Sequence, residues 1–271
     1  MLNFMGRHKE ALNNLKKQYK IFAKKFGQNS FETADILLEI GRSYLDMGHP
    51  EKALPILLHA EKILQDLENN NKIIFYSFHK NITIAFVNFI VAETYMDLNQ
   101  PEKAIPLYKK SLSSYMLLFN DNLKGQTINI ASRLCKAYIE NGQYEKGYAL
   151  CMRVLRQAKK HYYYEADTLN NIGLYYLKTN DLAEAEKYFK KAYDDISDSE
   201  YSFHLKAEIG RNLGLVHIKT RNPSQARYYL EYSLKHYQKI YDEKHHRIQG
   251  IKEALSKMNS KTAFLKANNH F

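Results

Sequence analysis

Ile172-Gly-Leu-Tyr-Tyr176, then Asn180-Asp-Leu-Ala-Glu-Ala185, then Phe189 and Ala192, form the stretch that decides the fold. Gly173 and Ala185 are small residues twelve positions apart. The same pairing recurs as Gly41/Ala53, Ala92/Ala104, Cys135/Gly147 and Gly214/Ala226. Three residues after each first member comes a ring: Tyr44, Tyr95, Tyr138, Tyr176 or His217. Four after each second member comes a bulkier residue: Leu57, Tyr108, Cys151, Phe189 or Leu230. Small residues at a fixed offset imply two helices crossing so closely that larger side chains would clash. Their recurrence in phase implies stacked helical pairs, an all-α array rather than one globular core.

The connection before each second helix repeats as well. It reads Gly48-His-Pro-Glu-Lys-Ala53, Asn99-Gln-Pro-Glu-Lys-Ala104, Gly142-Gln-Tyr-Glu-Lys-Gly147 and Arg221-Asn-Pro-Ser-Gln-Ala226, with an earlier version at Gly6-Arg-His-Lys-Glu-Ala11. Gly or Asn at the head supplies the left-handed residue that ends a helix. Pro two residues on suits the first turn of the next helix, where its missing N–H is not needed. Turns starting at 6, 48, 99, 142, 180 and 221 are 42, 51, 43, 38 and 41 residues apart. The longest interval predicts an insertion around 67–81, breaking at Asn69, Asn70 and Asn71.

These residues resemble the tetratricopeptide repeat (TPR): a Leu-Gly-like pair, a Tyr, then Ala, an aromatic and a further Ala. The longer period, with Leu169-Asn-Asn-Ile172, resembles the kinesin-light-chain type. The departures are the absence of an early Trp, Cys135 in place of Gly and His217 in place of Tyr. The resemblance implies a right-handed superhelical solenoid of helix-turn-helix repeats over residues 1–258. It comprises a leading half-repeat at 1–27, five repeats over about 31–240 and a capping helix at 245–258. Residues 259–271 lack periodicity and read as a flexible tail. In the half-repeat, 7–26 reads as a second helix without its partner, with an apolar stripe of Leu12, Leu15, Tyr19, Phe22 and Phe26. That face needs a cover: the next repeat, a homodimer partner, or a segment lost by upstream truncation.

Twenty-two tyrosines with only five prolines and eleven glycines suit helices joined by short turns. Met1–Glu10 has no apolar signal-peptide core, and the apolar stretch Ile73–Ala92 carries His79, Lys80 and Asn81, so it reads as buried helix rather than a membrane span. Cys135 and Cys151 fall on packing positions and read as small hydrophobes, which leaves the cytosol, in its own cell or another, as the expected setting. The net charge of +11 is concentrated late: Tyr201–Phe271 holds thirteen Lys/Arg against five Asp/Glu. Such a surplus favours acidic partners.

No phosphate-cradling loop, HExxH or CxxC occurs, and adjacent His245 and His246 on a helix point different ways, so neither a catalytic site, a metal nor a cofactor is expected. In the TPR resemblance the working surface is the concave side, lined by the first helix of each repeat. Read by phase, its residues are Asp35, Glu39, Arg42 and Asp46, then Phe86, Phe89, Ile90, Glu93 and Met96. The third repeat gives Asn129, Ser132, Arg133, Lys136 and Ile139. The fourth gives Asp167, Asn170, Asn171, Leu174 and Lys178, and the fifth Glu208, Arg211, Asn212, Leu215 and Lys219. The groove runs from acidic through apolar to basic with amides. Side-chain amides bracket a peptide backbone through one donor and one acceptor. Arg133, Lys136, Lys178, Arg211 and Lys219 favour carboxylates. The expected function is a non-enzymatic adaptor for an acidic peptide or partner protein, with a cytosolic signalling-peptide receptor as the rival. A nucleic-acid partner fits less well, because the tyrosines are taken up by packing and no residues recur as a base-reading set.

Overall fold

Gly48, Asn99, Gly142, Asn180 and Arg221, the heads of the five expected turns, all have positive φ, at 75°, 56°, 75°, 66° and 59°. Each ends its helix the same way. The amide of the next residue donates back to the carbonyl of the repeat's ring residue: His49 to Tyr44, Gln100 to Tyr95, Gln143 to Tyr138, Asp181 to Tyr176 and Asn222 to His217, at 2.8–2.9 Å. These six-residue closures satisfy carbonyls that the helix end would otherwise leave unpaired. Even Arg221 takes the left-handed conformation, although its Cβ makes that costly. The next helix is then capped by a side chain where the sequence allows: Asp181 accepts from Glu184 N and Asn222 from Gln225 N.

The computed structural model describes residues 4–69, 77–119, 125–158, 162–196, 202–239, 241, 243 and 245–268. Its helices are α1 (Phe4–Phe26), α2 (Phe31–Asp46), α3 (Pro50–Asn69), α4 (Ser77–Asp97), α5 (Pro101–Phe119) and α6 (Gln126–Glu140). They continue with α7 (Tyr144–Ala158), α8 (Tyr162–Lys178), α9 (Leu182–Asp195), α10 (Phe203–Lys219), α11 (Pro223–Tyr237) and α12 (His246–Asn268). No strand occurs among the described residues. The chain divides into two compact units, Met1–Ala158 and Lys159–Phe271. In the first, α1 to α7 each pack on their neighbours in sequence, and α2 also meets α4. In the second, α8 to α12 do the same, and α8 meets α10.

The small-residue pairs do what their spacing implies. A Cβ added to Gly173 would lie 2.6 Å from the Phe189 ring, and one added to Gly214 would lie 2.7 Å from Leu230. Gly41 meets Leu57 in the same way. Each contact joins a residue to the one sixteen positions later. In the third repeat that facing pair is Cys135 and Cys151, both fully buried. Two mid-sized side chains there replace one absent and one large. Gly147 completes the exchange: it lies against Ile139 and the Cys135 carbonyl, where a Cβ would clash. Because the pair faces, the structure joins the two sulfurs in a disulfide, with Cα atoms 5.5 Å apart. The expectation of two separate small hydrophobes is corrected to that extent.

Other expectations change at the ends. Gly6–Ala11 forms no turn; it lies within the continuous α1. Leu12 is buried against Ile36 and Ile40, and Leu15, Tyr19 and Phe22 pack around them. The stripe therefore has an intramolecular cover from Leu12 to Phe22, while Phe26 at its end stays 42% exposed, and the homodimer expectation gains no support. At the other end α12 does not stop at Met258 but runs on as helix to Asn268, so the flexible tail is replaced by helix up to that point. The asparagine break begins where α3 ends, at Asn69, and its remainder lies outside the described residues. No described helix is long and apolar enough to cross a membrane.

His217 shows how one departure from the repeat is absorbed. Its ring stacks on Tyr229 (centroids 5.6 Å, 8°), as Tyr176 stacks on Tyr188 (5.4 Å, 14°) at the same twelve-residue offset. Burial lowers the imidazole pKa, partly countered by Glu186, while Lys190 lowers it further. The folded state therefore holds it neutral, whereas the unfolded chain protonates below about pH 6.5. Its contribution to stability is complete above that pH and is lost as pH falls toward the lowered folded value. Denaturant titrations at falling pH should show this loss, and His217→Tyr should flatten the slope. An unchanged slope would exclude His217 as its source.

Candidate functional site

The first helices α2, α4, α6, α8 and α10 carry the candidate residues, and within each unit a polar or cationic contact bridges successive members. In the first unit the Arg42 guanidinium lies 5.4 Å from the Phe86 ring centroid on α4 while its Nη1 reaches Glu39 at 2.9 Å. Asp35, on the same helix, has its carboxyl raised above the usual range, first by burial and then by Glu39. Between α4 and α6, Arg133 Nε stands 3.8 Å from Glu93 Oε2. The fully buried Tyr108 on α5 donates its hydroxyl to the same carboxylate. Burial, and then the Glu93 charge, push that phenol well above its ordinary value. Arg133 is thus already held by a carboxylate of its own chain. Lys136, one turn on, is half-buried.

In the second unit the predicted amides leave the surface. Asn170, Asn171 and Asn212 are 1%, 0% and 3% exposed. Asn212 Nδ2 on α10 donates to Asn170 Oδ1 on α8 at 2.9 Å, across 42 residues of sequence. Asn170 Nδ2 is left buried without a hydrogen-bond partner. Arg211 beside this bridge is half-buried. Lys178 and Lys219, in the last turns of α8 and α10, are exposed where a helix C-terminus favours a cation. The structure therefore brings Asn170 and Asn212 together. Arg133 and Lys136 belong to the first unit.

A second bridge in this unit was not expected. Glu208, read only as a lining residue, accepts from Arg247 Nη1 at 3.3 Å, and the Arg247 guanidinium lies 5.9 Å from the Tyr237 ring. The pair ties α10 to the capping helix α12. Phase could place Glu208, but Arg247 lies beyond the last repeat and has no equivalent to compare with. Lys206 is also buried; its Nζ donates to the Ile196 carbonyl at 3.3 Å and lies 4.8 Å from the Tyr193 ring centroid. Among the described residues no group of three His, Cys, Asp or Glu is placed to hold a metal ion.

A tetratricopeptide repeat model matches residues 1–66 and 126–195, and another matches 87–115. No curated protein matches the sequence. Solved structures do resemble it. NprR in complex with its cognate peptide NprX aligns with a TM-score of 0.69 at 19% identity, covering 96% of this chain and 70% of that one. The Rap conjugation gene regulator of the plasmid pLS20, in complex with the Phr* peptide, gives 0.63 at 17%, covering 86% and 63%. BtubC (BKLC) from P. vanneervenii gives 0.57 at 12%, covering 86% and 91%. At these identities the likeness is one of fold. With recurrent crossings, turns and matching repeat models in agreement, the chain belongs to the tetratricopeptide repeat family.

Proposed function

We propose that this chain is a non-enzymatic adaptor whose first-helix faces hold a short acidic peptide or an acidic segment of a partner protein. The observation that carries the reading is the amide bridge of the second unit. These amides are buried, so the bridge acts on a ligand only through what it positions: the half-buried Arg211 beside it on α10. Asn171 and Asn212 are the adjoining amides, and Arg211, Lys178 and Lys219 are the cations that would meet acidic side chains. On the first unit's own face, Lys136 plays the same part. Arg133 engages a ligand carboxylate only by exchanging Glu93, which makes it the weaker contact. A cytosolic setting belongs to this reading.

A second reading, a receptor for a signalling peptide, draws support from NprR and the Rap regulator, both solved with bound peptides. Fluorescence anisotropy with a labelled Asp/Glu-rich peptide and a neutral control separates these ideas from a nucleic-acid role. Arg211→Ala should weaken the acidic peptide about tenfold and leave the neutral one unchanged, in line with a lost charge-assisted hydrogen bond. Equal affinity of both peptides for the native chain and the variant would refute the acidic-peptide reading. Steeply salt-dependent binding of any duplex would favour a nucleic acid instead.

A further inference from the structure

α1 buries one face on α2 and leaves the other in water. Lys17, Lys20 and Lys24 are exposed on that outer face, with exposed Lys9, Lys16 and Lys25 at its margins. From Lys9 to Lys25 the helix carries six lysines against one carboxylate, Glu10. Ile21, 62% exposed, stands among them, with Lys17 and Lys25 one turn either side and Lys24 three positions on. None of the six lysines is held in an ion pair among the described residues; Lys16 donates to the Tyr44 hydroxyl at 2.9 Å and Lys25 lies over the Phe26 ring.

Two features decide what such a face fits. From Lys9 to Lys25 its cations are all lysine, point charges without the planar fork that grips individual phosphates in pairs, so they suit a diffuse anionic surface. At their centre is a large aliphatic side chain. A phosphodiester backbone offers it nothing, whereas the interface of a bilayer would bury it while the lysine stems splay toward the headgroups. The helix is already fixed by its inner face, so docking would cost little ordering.

We propose that the outer face of α1 docks this protein onto an anionic lipid surface. Lys17, Lys20, Lys24 and Lys25 lie against the headgroups, and Ile21 enters the interface without spanning it. The inference is independent of the peptide reading, which concerns other helices.

Co-sedimentation of the full chain with phosphatidylcholine vesicles, with and without phosphatidylserine, tests it. The native chain should bind only the anionic vesicles, and less as salt rises. Lys17→Glu/Lys20→Glu/Lys24→Glu should weaken binding on the order of a hundredfold, from about fivefold per basic residue. Ile21→Ser should weaken it about fivefold. All four positions are exposed, and an unchanged thermal melt would verify that the variants fold. Absence of binding to anionic vesicles at low salt overturns the proposal, as does binding unaffected by the charge-reversed variant. If duplex RNA binds the native chain and Ile21→Ser equally while the vesicles bind neither, the face serves a nucleic acid and the proposal is wrong.

Discussion

Gly173→Leu is expected to destabilise the second unit by about 3 kcal/mol or more, because a Cβ alone would already meet Phe189 Cδ1 at 2.6 Å and Cε1 at 2.7 Å. Phe189 is fully buried. Phe189→Ala, which empties the same space, should cost about 3–5 kcal/mol by itself. The combination Gly173→Leu/Phe189→Ala exchanges the large and small partners at nearly constant volume. It should therefore lose less than the two single changes together, with a coupling of about 1–3 kcal/mol in urea denaturation. Strict additivity would show that the two side chains do not share one space. The third repeat is a natural instance of this trade: Cys135 and Cys151 occupy the equivalent positions, and Gly147 gives up the methyl that Ala185 keeps.

Glu208→Leu should cost about 3 kcal/mol, since it strands the Arg247 guanidinium in a mostly buried position. The loss should be local. Hydrogen exchange in α12 and its contact with α11 should accelerate well before α8 and α9 respond, because the pair ties the capping helix to the last repeat. Glu208→Leu/Arg247→Met removes both charges and should recover most of the stability, since an apolar pair of similar size avoids the desolvation cost. If the double variant is as unstable as the single, packing around Glu208 rather than the ion pair holds α12.

The candidate site was legible only in part, and particular residues show why. Phase placed Asn170, Asn171 and Asn212 on the first helices, which the structure keeps. Phase cannot tell a side chain that faces a groove from one that faces the next first helix, because both lie on the same sector of the cylinder. The Asn212–Asn170 and Arg133–Glu93 contacts depend on how far successive helices are offset along their axes, and no single repeat contains that quantity. Lys178 and Lys219 are exposed in the last turns of α8 and α10, whereas His217, in the same turn as Lys219, is buried against Tyr229.

Local chemistry written in the sequence determined the all-α repeat, the five crossings and the five turns. Each needs only residues within about twenty positions of one another, and a missing Cβ or a left-handed residue leaves few alternatives. Tertiary structure decided what covers the α1 stripe, that α12 continues to Asn268, that two packing cysteines face one another and that the amides are buried in a bridge. Those outcomes depend on distances between elements, which packing sets and periodicity does not encode.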